Sequence, residues 1–451
     1  MCYCATKRNV IPRLRFILNN LFDYLKSRSK SSVAKNFFAL SILQVANFIF
    51  PMITLPYVTR IFGPEIYGLL NFATSFLVYF SLIVNYGFDL SASREISQNR
   101  NNWSKVEEIF NNVLFSKLFL FFIASIFFLV SLFAIQKIEE YKALYLIMYF
   151  GSIFNIFFPT WFFQGIEKLN ITAIFTFIVK LIFTCLIFLL IKSKDDYLLY
   201  PLTTIIGQFL VSIVSLFLIT KKFNIKLKIP LTFIAIYNTL KEGSKIFLTT
   251  VIINLYTTTN FVLLGFLATD YDVGIFSAAQ KIIIIIISLI TGPIGQSLYP
   301  HIGYTLSKNY QNGIQKIYES LFIVVIITIV PTIIIFIFPS IIITILYGHQ
   351  FNDAIVTLRI LAFLPLIIGI SNIFGMQGLL NLKKDKEVIL ITSIGALVGL
   401  GINFYLIPVY KYNGAALSWL LTEIVITILM IIVFIKNTNF KQDIKRFQSN
   451  I

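Results

Sequence analysis

Apolar runs of about 20 residues recur along this chain, and its charged residues, Gly and Pro cluster in the breaks between them. A helix needs roughly 20 mainly apolar residues to cross about 30 Å of hydrocarbon. On that measure the pattern predicts twelve membrane spans. The first six are 36–59, 65–90, 118–135, 141–163, 171–191 and 197–220; the second six are 244–268, 273–298, 320–346, 354–380, 388–408 and 414–435. Basic residues test the count independently, because short cytoplasmic loops collect Lys and Arg whereas translocated ones do not. With the N-terminus placed inside, alternate loops take most of the 37 basic residues. The opposite loops keep only Arg60, Lys137, Lys142, Lys192, Lys194 and Lys411, and both termini fall on the cytoplasmic side.

Composition agrees and excludes other classes. Hydrophobic residues make up 57% of the 451 and charged ones 13%, at a mean hydropathy of +0.85. A water-facing globule has no means of covering 47 Phe with polar surface, and a disordered chain does not carry them. The net charge of +17 reads as an orientation signal, since the cations lie in loops, and not as a nucleic-acid footprint. Three Cys and two His supply neither a disulfide framework nor a metal site, and no cofactor is expected. No Gly-x-x-x-x-Gly-Lys-Ser/Thr loop is present, so the chain carries no recognisable ATP motor, and nothing in it points to an enzyme.

The spans divide into two halves. Residues 1–35 form a basic cytoplasmic segment, 36–220 an N-terminal bundle of six helices, 221–243 a Lys-rich linker, 244–435 a C-terminal bundle of six, and 436–451 a tail. Within the first segment Leu14, Leu18, Leu21, Phe22 and Leu25 fall at helical spacing beside basic residues. That pattern suits either a helix on an anionic leaflet or a loose tail. The halves echo each other. Tyr67-Gly68-Leu69-Leu70-Asn71-Phe72-Ala73 opens span two, and Val273-Gly274-Ile275-Phe276-Ser277-Ala278-Ala279 opens span eight. Gln164-Gly165 and Gln377-Gly378 end spans four and ten. Small residues at such positions let helices approach closely.

Several stretches carry a family resemblance. Leu43-Gln44, Asn47, Pro51, Leu55-Pro56-Tyr57, Arg60, Gly63, Glu65, Tyr67-Gly68 and Phe72-Ala73 are followed by Asn85-Tyr86-Gly87-Phe88, Ser91-Ala92, Arg94-Glu95, Trp161-Phe162-Phe163-Gln164-Gly165 and Tyr299-Pro300. Together they resemble the O-antigen (Wzx-type) repeat-unit flippases of the multidrug/oligosaccharidyl-lipid/polysaccharide exporter (MOP) superfamily. The resemblance implies an all-α polytopic fold, two six-helix bundles in a V lined mainly by spans one, two, seven and eight. It implies alternating access in a bacterial inner membrane. The implied cargo is an undecaprenyl-diphosphate-linked oligosaccharide moved from the cytoplasmic to the periplasmic leaflet, with a polysaccharide polymerase and a chain-length regulator as partners beside the lipid bilayer.

Physics demands a wet route for such cargo, because an unpaired hydroxyl costs about 4 to 8 kcal/mol on entering hydrocarbon. Charges inside spans are costly too, about 2.5 to 3.5 kcal/mol at the centre on insertion scales, and therefore face a cavity or a partner. Lys180 in span five, Lys281 in span eight and Arg359 in span ten are candidates for attracting a diphosphate; snorkelling is the alternative for Lys281 and Arg359. Glu423 in span twelve is the candidate ion-coupling group, or else a structural partner of Lys180. Span seven carries Asn254, Tyr256, Thr257, Thr258 and Asn260, a polar run too broad for one contact face and so expected to line the cavity, with helix packing through Thr hydroxyls as the alternative. Asn85 and Asp89, near the inner end of span two, are expected to meet a headgroup or the coupling ion, or merely to cap the helix. Two rivals remain open: a multidrug cation exporter of the same superfamily, expected to hold acidic residues deep in the first bundle, and a membrane polysaccharide polymerase or glycosyltransferase, expected to bear catalytic groups on large loops.

Overall fold

The computed structural model describes residues 32–229 and 233–438. They form helices joined by short turns, with no strand among the described residues. The basic N-terminal amphipathic pattern and the tail beyond 438 lie outside them. Nine helical segments are long and apolar enough to cross a membrane among the residues searched, and the chain is a multi-pass membrane protein.

In chain order, α1 is Ser32–Asn85, α2 Phe88–Asn99, α3 Trp103–Ala134, α4 Gln136–Glu140, α5 Lys142–Gly151, α6 Thr160–Gly165, α7 Leu169–Leu190 and α8 Leu199–Phe217. The second half holds α9 Phe233–Leu267, α10 Asp270–Lys308, α11 Tyr310–Ile337, α12 Pro339–Leu346, α13 Ala354–Leu361, α14 Leu364–Asn372 and α15 Asp385–Lys436. Two of these are doubled. α1 reverses at Gly63, whose φ of 70° only glycine adopts readily, and Pro64 restarts the helix; α15 is broken at Lys411 (φ 50°). The ends of the molecule are named here by the turns they carry, the Gly63 end and the Arg100 end.

Aromatic packing organises the first half. Phe128 stacks on Tyr149 at 4.0 Å, and Phe80 meets both rings edge-on. The first arm of α1 lies along α7, with Phe50 against Phe177, Tyr57 against Phe188, and the Tyr57 hydroxyl donating to the Ile191 carbonyl at 2.7 Å. Outward, Phe122, Phe127, Phe133, Phe322 and Ile341 are more than half exposed. Large apolar side chains in such number suit a lipid surface and not water.

Several expected spans are not single α-helices. Span four is interrupted between Gly151 and Thr160, where a 3-10 turn over Ser152–Asn155 leads to Pro159. Span ten passes from α13 through α14 into a π-helix over Ile373–Leu380, and span nine breaks at Phe338 because Pro339 cannot donate to the preceding turn. The linker differs as well. Residues 224–229 form no helix and lie against α3, held by Asn111, which donates to the Lys226 carbonyl (2.9 Å) and accepts from the Lys228 amide, and by a Glu107–Lys228 ion pair at 2.7 Å. From Phe233 the chain is already helical, so the second half of the expected linker belongs to α9.

Candidate functional site

The two halves meet most closely at the Gly63 end, where the second arm of α1 crosses α10. A Cβ placed on Gly68 would stand 1.8 Å from the Asp270 carbonyl oxygen, and one on Gly274 would stand 1.9 Å from that of Pro64. Asp270 precedes Gly274 by four residues, as Pro64 precedes Gly68. The contact is therefore self-complementary, as a twofold relation between the halves requires, and it joins the two motifs that echo in the sequence. Thr269 fixes the start of α10 by a reciprocal capping box with Asp272. Lys137, from α4 in the first half, reaches over the crossing. Its ammonium contacts Asp270 at 2.7 Å and the Gly265 carbonyl at 2.6 Å, and it lies 4.7 Å from the centre of the Phe72 ring. Arg60 adds a bond to the Ile345 carbonyl at 3.2 Å. This end is shut.

Two helical turns into the membrane from Gly274, Lys281 lies 5.8 Å from the centre of the Tyr67 ring, with Tyr200 also within its electrostatic reach. Tyr67 in turn meets Tyr347 edge-on at 6.2 Å and Phe351 at 5.9 Å. Lys180, on α7, lies within Coulombic range of Lys281. The fold thus brings together two cations from opposite halves, and among the described residues neither is ion-paired. A pair of like charges in a membrane interior is unfavourable unless water or an anion joins it.

Arg359 is not with them. Arg359 is exposed; its guanidinium donates to the Phe336 carbonyl at 3.3 Å and lies over the Phe336 ring. The polar run on α9 divides. Asn254 bonds its own helix at the Thr250 carbonyl, and Thr258 is half-buried. Asn260 is buried and accepts from Asn403 on α15 at 2.5 Å, a helix-packing contact within the second half. Asn260 and Asn403 together line a small gap between α9 and α15. The Tyr256 and Thr257 side chains lie outside the described residues. Asp89, expected to meet a headgroup or the coupling ion or to cap the helix, lies in the first turn of α2. It is largely exposed at the start of α2, 3.7 Å from the buried Lys117 ammonium, which donates to Asn85 at 3.1 Å. This group serves to neutralise a buried lysine where α1 turns into α2 through Tyr86 and Gly87. Tyr86 stacks on Phe247 of α9 at 4.4 Å, so the halves touch at the Arg100 end too. Glu423 is buried in the second arm of α15.

The model of a family described as polysaccharide biosynthesis protein matches residues 33–306. The chain belongs to that family. A protein of Escherichia coli (strain K12), provisionally named an O-antigen transporter, is 30% identical over 411 residues, which is 91% of this chain and 98% of that one. A protein of Shigella dysenteriae with the same provisional name is 32% identical over 401 residues, 88% of this chain and 98% of that one. Among solved structures, the lipid II flippase MurJ in an inward closed conformation superposes with a TM-score of 0.69 at 15% identity, covering 89% of this chain and 87% of its own. An inward-facing multidrug resistance MATE family transporter of the MOP superfamily gives 0.68 at 14%, covering 91% and 98%. These two establish the fold.

Within this family member, sequence reasoning missed Lys137 and Lys117. Both were counted as loop cations, and only the packed fold shows one bridging the halves and the other buried. The hydroxyl of Tyr79, 3.1 Å from that of Thr259 across the two halves, gave no signal in the sequence.

Proposed function

We propose that this protein is a flippase for undecaprenyl-diphosphate-linked oligosaccharide repeat units of O-antigen or a related surface polysaccharide. It carries them from the cytoplasmic to the periplasmic leaflet of the bacterial inner membrane by alternating access. The observation that carries the reading is that Lys180 and Lys281, from opposite halves, lie within Coulombic range of each other and that neither is ion-paired among the described residues. A diphosphate satisfies both ammonium groups with charge-assisted bonds, and aromatic rings around Lys281 shield that contact from water. A shared anion also links the halves, which is how cargo can bias one opening over the other.

On this reading the two doubled helices and α9 contribute the remaining spans of a twelve-helix transporter, with the Gly63 end facing the periplasm, as the positive-inside bias of the sequence favours. Glu423, a carboxyl buried within a span, is the proposed coupling group. The names of the relatives support a lipid-linked saccharide as cargo and a transporter, not an enzyme. The rival cation exporter shares the fold, but two lysines at the meeting point of the halves would repel its substrates.

Deletion of the gene separates the readings. A flippase leaves lipid-linked repeat units on the cytoplasmic leaflet, an exporter leaves drug-sensitive cells with normal polysaccharide, and a polymerase strands single units outside. Either of the last two results removes this proposal.

A further inference from the structure

A cavity of about 360 Å³ is lined by the first half alone, between the second arm of α1, the end of α5 with the interrupted segment after it, and α8. Its volume falls in the range of small-molecule sites, roughly 300–1,000 Å³. Neutral polar side chains line it, among them Thr74, Ser81, Ser152, Asn155, Thr204 and Gln208, set among apolar surface from Leu77, Met148 and Ile205. Among the described residues, no carboxylate and no cation lines it.

The backbone at this place is unusual for a membrane interior. Non-helical chain at membrane depth is tolerated only where protein or a water-filled cavity satisfies its polar groups. Expected span four loses its α-helix at Ser152–Asn155, the stretch that contributes two of the polar side chains. The carbonyl of Phe154 turns toward α8 and accepts a bond from Ser212 at 2.6 Å. Gly151 sits so close to α8 that a Cβ would meet Ile205 at 2.2 Å, which holds the broken segment against the cavity wall. Transporter sites recur where a spanning helix is interrupted.

The cavity lies near Lys281, and its α8 wall belongs to the helix that packs on α7, which carries Lys180. Tyr200 lines it and lies within electrostatic reach of Lys281. Gln208 lines it, and its neighbour Gly207 packs on Val179, the residue before Lys180. From these placements we infer that the cavity receives the uncharged, hydroxyl-rich saccharide nearest the diphosphate, while Lys180 and Lys281 hold the phosphates at its edge. This deepens the flippase reading and rests on it. Alternating amide, hydroxyl and apolar groups match a pyranose, whose edge presents hydroxyls and whose face presents C–H. A cationic drug would find no counter-charge there, and a free diphosphate no donor of positive charge.

The test uses the purified full-length protein in lipid nanodiscs with two probes: undecaprenyl diphosphate, and the glycosylated lipid extracted from cells lacking this protein. Wild type is expected to bind both, the glycosylated lipid more tightly. Asn155→Ala and Gln208→Ala, on different helices, should each weaken the glycosylated lipid roughly tenfold and leave undecaprenyl diphosphate within twofold. Lys281→Ala should weaken both probes. Retained binding of the bare lipid shows that the variants are folded, and Thr204→Val, nearly isosteric, gives a third reading with little effect on packing. Equal loss for both probes in all three cavity variants, or no loss for either, overturns the saccharide site and leaves the flippase reading standing. Failure of wild type to bind either probe overturns both.

Discussion

A single methyl group at Gly68 probes the crossing that shuts the Gly63 end. In Gly68→Ala the new Cβ starts 1.8 Å from the Asp270 carbonyl oxygen and 2.6 Å from the Gly274 nitrogen, whereas real Cβ contacts stay beyond 3.0 Å. Both obstacles are backbone, so no side chain can swing aside. The helices must part by about 1.2 Å along the shorter vector, or turn, and either movement also pulls Asp270 from Lys137. Overpacking of this kind costs about 1–3 kcal/mol. The cost falls on the closed arrangement alone, and shifts the balance toward opening at this end by roughly 5- to 150-fold. The assay is labelling of Thr74→Cys by a membrane-impermeant maleimide added from the periplasmic side, in a background with Cys2, Cys4 and Cys185 replaced by Ser. Gly68→Ala should raise the labelling rate several-fold at least. Gly274→Ala should do the same, because its methyl would start 1.9 Å from the Pro64 carbonyl oxygen. Rates within twofold of the parent for both variants would refute the closed crossing, and a response from one alone would refute its twofold character.

Other expectations follow from the same geometry. Lys137→Ala removes an ion pair, a carbonyl bond and a ring contact at the seam, together about 1–3 kcal/mol for these partly buried groups, and should speed the same labelling reaction. Lys281→Ala should abolish most surface polysaccharide at unchanged protein level, measured by gel staining of the extracted polysaccharide. Arg359→Ala should leave it within twofold, since that guanidinium lies on Phe336. Asn260→Ala and Asn403→Ala should each lower stability in detergent by about 1 kcal/mol, non-additively in the double variant, with no specific effect on cargo binding.

The extent to which the sequence disclosed this molecule varies with the physics at each place. Spans were readable because each is set by its own length and hydropathy, and the Gly68 and Gly274 echo was readable because close helix approach admits few residue types. Lys180 and Lys281 stood out because charge inside an apolar run is expensive wherever it points. Their proximity was not readable, and neither was the outward direction of Arg359, since both depend on helix rotation fixed by neighbours hundreds of residues away. The break in span four was overlooked for a different reason. Residues 141–163 satisfy hydropathy throughout, and only Gly151, Ser152, Asn155 and Pro159, scattered across the run, hinted that the helix gives way. Asn260 illustrates a further limit: a polar residue in a span serves a cavity or a neighbouring helix equally well until Asn403 is seen beside it.

The measurement that addresses the central claim most directly is transbilayer movement in proteoliposomes. The protein is reconstituted with the glycosylated undecaprenyl-diphosphate lipid extracted from deletion cells, and exposure of its sugars on the far leaflet is followed with an impermeant oxidant. The account predicts protein-dependent transfer that Lys281→Ala abolishes and Arg359→Ala preserves. Transfer at the rate of empty liposomes, or transfer unchanged by Lys281→Ala, would contradict it.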